Sequence, residues 1–130
     1  MSSVLVIIKP DAVENGSTES IISDFEAKGF KIKHRTQITP SIDIVKQHYI
    51  EHENKDFYND LCSFMVSGPV VILYLELLKP KGKAVEVARG MLKDLRKEYG
   101  TDFRRNAIHI SDSNLSTERE FKLWSKYLDV

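Results

Sequence analysis

The spacing of apolar side chains changes period several times along this chain, and each change marks an element. Val4, Leu5, Val6, Ile7 and Ile8 form an unbroken, mostly β-branched run. It is too short to span a bilayer and lacks the flanks of a signal peptide, so it predicts a buried strand. The run stops at Lys9-Pro10-Asp11, where proline removes a ladder donor and predicts a turn. After Asn15-Gly16-Ser17, Ile21, Ile22 and Phe25 recur at helical spacing and Gly29 supplies the stop. Phe30, Ile32 and His34 alternate with Lys31, Lys33 and Arg35, the period of a strand with one wet face. Thr39-Pro40 offers a cap and a first-turn proline to a helix through Ile42, Val45 and Tyr49.

Asp56 opens the next predicted helix, with Phe57, Leu61, Phe64 and Met65, which Ser67-Gly68-Pro69 ends. A strand over 70–75, a helix carrying Val85, Val87, Ala88, Met91, Leu92 and Leu95, and a short strand over 107–110 follow. The last helix starts near Ser116-Thr117-Glu118 and turns Leu123, Trp124, Tyr127 and Leu128 inward. The order β, α, β, α, α, β, α, β, α predicts an α/β (α+β) sandwich of ferredoxin-like βαββαβ type. Its four-stranded antiparallel sheet is expected to be covered by helices on one face. With no linker or repeat in its 130 residues, the chain is read as a single domain, 1–130.

Composition narrows the partners. Nineteen basic and nineteen acidic side chains cancel, so no general field holds this chain to nucleic acid or to an acidic membrane. Any anion it binds must be met by locally placed cations. The one cysteine, Cys62, excludes an internal disulfide, fits a reducing cytoplasmic compartment, and is expected buried and inert within its apolar helix. His48 and His52 have the i, i+4 spacing of a metal pair but no third ligand, and are assigned to the surface. Trp124 is read as a core anchor.

Neither a GxxxxGK[ST] phosphate loop nor a GxGxxG fingerprint occurs. The cations near strand ends are Lys9 and a set formed by Arg89, Arg96, Arg104 and Arg105. One histidine has an unusual setting: His109 lies on an apolar strand that runs directly into Ser111-Asp112-Ser113. By residue pattern alone, a strand histidine is more often a satisfied, partly buried side chain than a catalyst.

Asn106-x-x-His109-x-Ser111-Asp112-Ser113 resembles the active-site signature of nucleoside diphosphate kinases. Lys9-Pro10-Asp11, His48-Tyr49, Phe57 with Leu61, Ser67-Gly68-Pro69-Val70-Val71 and Arg89-x-Met91-Leu92 resemble that family in its own order, over nearly the whole chain. The resemblance implies a ping-pong kinase in which His109 takes the γ-phosphate of a nucleoside triphosphate and passes it to a nucleoside diphosphate. It implies Lys9, Tyr49, Arg89 and Arg96 at phosphate-contacting positions, and Asn106 with Lys9 at the ribose. It also implies Phe57 and Leu61 at the base, and Ser111 and Glu120 beside the histidine. Thr117-x-x-Glu120 also has capping-box spacing, and both roles are expected of Glu120. Magnesium is implied as the cofactor, riding on the nucleotide phosphates, and a dimer-based homo-oligomer, hexamer or smaller, as the assembly.

Three positions depart from the family pattern. Only six residues separate Arg89 from Arg96, where the family usually carries a long loop used in trimer contacts, a shortening similar to some viral members. Ile110 replaces a small residue and is expected to narrow access to His109. Phe103 replaces a small aliphatic residue, which suggests a base held between Phe57 and Phe103. The chain ends soon after the last helix, without the long tail of eukaryotic members. Two alternatives stay open at this point: a non-catalytic, nucleotide-binding regulatory relative, and an interaction module.

Overall fold

The computed structural model describes residues 2–128. Four strands form one sheet: β1 (Ser3–Ile8), β2 (Phe30–Ile38), β3 (Val70–Leu77) and β4 (Ile108–Ile110). Their order is β2-β3-β1-β4, every neighbouring pair antiparallel, which is the ferredoxin-like split βαβ arrangement. Six helices accompany them: α1 (Pro10–Glu14), α2 (Thr18–Ala27), α3 (Ile42–His48), α4 (Tyr58–Met65), α5 (Ala84–Tyr99) and α6 (Asn114–Trp124). None of the described helices is long and apolar enough to cross a membrane.

The helices cover both faces of the sheet, not one. Val4, Val6 and Ile8 pack with Phe25 of α2 and with Ala88 and Leu92 of α5. Leu5 and Ile7 pack with Val45, Met65 and Trp124 of α3, α4 and α6. Every residue of β1 is buried. A strand without polar alternation needs apolar cover on both sides, so the run Val4 to Ile8 already required two cores.

The same alternation sets the site. On β4, Ile108 and Ile110 enter the core under α2 and α5, while His109, paired across from Ile7, points to the other face. Ile110 therefore faces away from His109 and does not narrow access to it.

Local starts differ from expectation where a better cap was available. Pro10 opens α1 at its first position, where its missing N–H is not needed. Ser41, not Thr39, caps α3, its Oγ accepting from the Ile44 N–H at 3.3 Å. Asp56 caps nothing, and α4 starts at Tyr58. Ser113 caps α6, its Oγ accepting from the Ser116 N–H at 3.0 Å. The segment between Arg89 and Arg96 lies inside unbroken α5.

At Gly100, α5 gives way to the loop that returns to β4. A Cβ there would stand 2.6 Å from the Arg96 carbonyl oxygen and 3.0 Å from Asn106 Cα. Only glycine lets the loop pass so close to the helix end. Gly100→Ala is expected to destabilise the fold by about 1–3 kcal/mol through overpacking, measured by urea denaturation.

Candidate active site

Helix α6 buries Thr117, Glu120 and Trp124, one face at i, i+3 and i+7 spacing. Glu120 is only 4% exposed. Its Oε1 accepts from Ser111 Oγ at 2.7 Å and pairs with His109 Nε2 at 2.8 Å. A carboxylate accepts only, so the ring proton sits on Nε2 and Nδ1 keeps a free lone pair. The His109 side chain is 19% exposed, so the ring is reachable from solvent. The capping role expected for Glu120 fails: Ser113 is the cap, and Thr117 lies a turn inside, its Oγ1 donating to the Ser113 carbonyl at 2.9 Å.

His48, assigned to the surface from sequence, is 3% exposed and packs edge-on against His109, with ring centroids 4.5 Å apart. Trp124 Nε1 donates to His48 Nδ1 at 3.0 Å. Burial, reinforced by the neighbouring His109 and Arg119, holds the His48 pKa well below the usual histidine range. His48 is therefore neutral, with its proton on Nε2. Potential ligand atoms of His48, His109 and Glu120 lie within 4.8 Å of one another. Trp124 nonetheless occupies the one imidazole lone pair of His48, so this cluster does not offer a metal three ligands.

In front of His109 opens a cleft of about 550 Å³ that brings together Lys9, Tyr49, Phe57, Leu61, Arg96, Phe103 and Asn106. Lys9 Nζ donates to Asn106 Oδ1 at 2.8 Å, and Arg96 Nη2 to the Ile108 carbonyl at 3.2 Å. Arg89 does not line the cleft. It donates to the Ile110 carbonyl at 3.1 Å and borders a neighbouring depression with Asp112 and Ser113. The buried Tyr49 hydroxyl and Arg96 Nε have no partner. Burial pushes the Tyr49 pKa above the usual phenol range, so it remains a donor. Lys9 is buried as well. Desolvation, then the nearby Arg96, lower its pKa to about 8 against the opposing effect of Asp11.

Residues not assigned to the nucleotide site from sequence also line the cleft. His52, with a buried and unpartnered Nδ1, packs 5.6 Å from the Phe57 ring. Asp60, Asp102 and Arg104 complete the wall. The His48/His52 pair is visible in the sequence, but without a third metal ligand it reads as two surface histidines and not as part of a wall.

Behind the cleft, Ala107 adopts φ +75°, a left-handed conformation that costs a residue with a Cβ roughly 1–3 kcal/mol. Two contacts hold it: Asp11 Oδ2 accepts from the Ala107 N–H at 3.0 Å, and the Lys9 N–H donates to the Ala107 carbonyl at 2.8 Å. The kink separates Asn106 in the cleft from the regular pairing of β4.

An α+β fold with an oriented imidazole in a cation-lined cleft defines an enzyme that handles anions. A family model described as nucleoside diphosphate kinase matches residues 2–130. The nucleoside diphosphate kinase of Schizosaccharomyces pombe is 43% identical over 130 residues, covering 92% of this chain and 83% of its own length. That of Exiguobacterium sp. is 36% identical, with 95% and 94% covered. The crystal structure of the Aquifex aeolicus nucleoside diphosphate kinase superposes with a TM-score of 0.88 at 30% identity, covering 98% of each chain. A nucleoside diphosphate kinase family protein from Babesia bovis gives 0.87 at 31%, covering 98% of this chain and 92% of that one. The chain belongs to the nucleoside diphosphate kinase family. It is an enzyme, a phosphotransferase, and nucleotides are its substrates.

Removing the Asp11 acceptor leaves the buried Ala107 N–H unpaired. Asp11→Ala is expected to cost about 1–3 kcal/mol in chemical denaturation, and Asp11→Asn, which keeps an acceptor oxygen, distinctly less.

Proposed function

We propose that the kinase reaction of this chain runs through His109 Nδ1. The nitrogen attacks the γ-phosphorus of a nucleoside triphosphate, the bond to the bridging β-phosphate oxygen breaks, and the diphosphate leaves with that electron pair. The phosphorylated ring keeps its Nε2 proton and carries positive charge, which the Glu120 carboxylate, itself held by Ser111, is placed to stabilise. A second nucleoside diphosphate takes the phosphoryl group by the reverse displacement.

One observation carries this reading: Lys9, Arg96 and Arg89 are bound to neutral acceptors. Lys9 bonds an amide oxygen, and Arg96 and Arg89 bond backbone carbonyls. Among the described residues, Lys33, Arg35, Lys83 and Arg105 pair instead with carboxylates. The unneutralised charge of Lys9 and Arg96, with the free Tyr49 hydroxyl, suits phosphate oxygens. Arg89 adds positive potential beside Arg96. Asn106 with Lys9 suits the ribose hydroxyls, while Phe57 and Leu61 on one side and Phe103 on the other suit the base. A non-catalytic relative finds no support, since Ile110 points away from His109 and unbroken α5 replaces the missing loop.

Magnesium would fit as an ion brought in with the nucleotide, supplying charge neutralisation to its phosphates. The cleft carboxylates are Asp60 and Asp102, and Arg105 engages Asp102, so no carboxylate cage competes for the ion. A single domain over 1–130, a homo-oligomer and a cytoplasmic setting complete the reading. The open edge of β2 supports assembly, and the lone buried Cys62 supports a reducing compartment.

Incubated with γ-labelled ATP and magnesium but no acceptor, the protein is expected to retain an acid-labile, base-stable label that leaves on adding a diphosphate. His109→Gln abolishes it; label persisting in that variant would refute the assignment. Glu120→Gln is expected to lower kcat about 100-fold with the label still formed slowly.

Lys9 gives a pH dependence of definite sign. The folded, unliganded chain releases this proton near pH 8, while the unfolded chain holds it to the ordinary lysine range. As pH rises between those values, the empty fold gains stability from Lys9 but loses affinity for phosphate. Titration of ADP binding from pH 7 to 9.5 is expected to show that loss, with the Lys9→Met variant weaker throughout and flat.

A further inference from the structure

We propose that Asp102 is a positioning residue whose carboxylate latches the 101–106 loop, so that Phe103 stands as the second wall for the base. This rests on the reading of Phe103 given above. Phe103 is 87% exposed, yet it lines the cleft together with Phe57. An unsupported aromatic on a short loop would fold down onto nearby apolar surface, and here the loop is tied on both sides of it. Asp102 Oδ1 accepts from the Arg104 and Arg105 backbone N–H groups at 3.0 and 2.8 Å. Its Oδ2 accepts from Arg105 Nε and Nη2 at 2.9 and 2.7 Å. The Phe103 carbonyl accepts from Asn106 Nδ2 at 3.0 Å, and Asn106 Oδ1 in turn holds Lys9.

The Arg105 backbone N–H and guanidinium keep the Asp102 carboxyl below its usual range, so the latch is charged at neutral pH. An exposed ion pair contributes little to stability by itself. The consequence of this one is geometric: a preset gap between two aromatic side chains, suited to a flat heteroaromatic ring. Stacking grows with ring area, so purine nucleotides depend on the latch more than pyrimidine nucleotides.

The test uses the full chain and equilibrium binding of ADP, CDP and inorganic pyrophosphate, with kcat and KM alongside. Phe103→Ala and Asp102→Ala are each expected to weaken ADP binding about fivefold and CDP binding less. The double variant should also lose about fivefold, because Asp102 acts through Phe103. Pyrophosphate, which lacks a base, should bind within twofold of the parent. Asp102→Asn, which keeps Oδ1 as an acceptor for the two backbone N–H groups, should recover part of the loss. Additive losses in the double variant, or equal weakening of pyrophosphate, would overturn the latch and leave Asp102 a structural residue of the cleft. Unchanged ADP binding in Phe103→Ala would instead overturn the base-wall reading. A loss in Phe103→Ala without one in Asp102→Ala would overturn the latch alone.

Discussion

A carboxylate carried into an apolar interior has to be met by donors, and Glu120 shows how that requirement organises the molecule. Its place on the inner face of α6 puts it among Leu5, Ile7 and Trp124, where an unpaired charge would be costly. Ser111 and His109 meet its Oε1, both from β4 and its immediate extension, while Arg119 Nη2 stands 3.8 Å from its Oε2. Satisfying Glu120 thus fixes the ring orientation and the tautomer of His109 together. Trp124 and His48 close the other side of the ring with a second fixed tautomer. The His109 ring is held by partners with fixed donor and acceptor roles, with His48 Nε2 left buried and unpaired.

The charge distribution follows a related logic. The chain is neutral overall, so anion binding depends on where cations go and on what they bind. Lys33, Arg35, Lys83 and Arg105 spend their charge on nearby carboxylates. Lys9, Arg96 and Arg89 are oriented by amide and carbonyl dipoles, which fix the side chain without cancelling its field. The cost shows in the depressed pKa of Lys9 and in the unpartnered Tyr49 hydroxyl and Arg96 Nε. Each costs the empty state, and under the proposed reaction each would meet a phosphate oxygen.

Much of this was legible in the residues. The unbroken Val4 to Ile8 run, the alternation through His34 and the glycine stops placed all four strands, because each reflects a local physical period. The spaced blocks shared with the family placed Lys9, Tyr49, Phe57, Leu61 and Asn106 around His109, the spacing to Asn106 added Arg96, a departure from the pattern added Phe103, and the cleft does gather them. What failed was whatever depends on contact between distant segments. His48 looked like a surface residue because its partner, Trp124, lies 76 positions away. Glu120 carried capping-box spacing, yet the helix began earlier at a serine with better cap geometry. Ile110 seemed an obstacle because sequence adjacency was taken for proximity, whereas alternation on a strand sends neighbours to opposite faces. Asp11 and Asp102 carried no periodic signal, since each acts on backbone N–H groups that only the folded loop presents.

The unbroken helix across the shortened region has a consequence for His109 itself. Arg89 and Arg96 are seven residues apart, about 10.5 Å along α5, so both side chains leave the same face. They reach the carbonyls of Ile110 and Ile108, the two residues flanking His109, about 7 Å apart along β4. Strand β4 is only three residues long and lies at the sheet edge. Such a strand frays unless its outer carbonyls find donors. The two arginines supply them and so hold His109 from both sides along the strand. A flexible loop in place of this helix would leave their spacing undetermined. In this chain the cations that raise the potential at the cleft are also the braces of the strand that carries the histidine, so losing either one disturbs charge and position together.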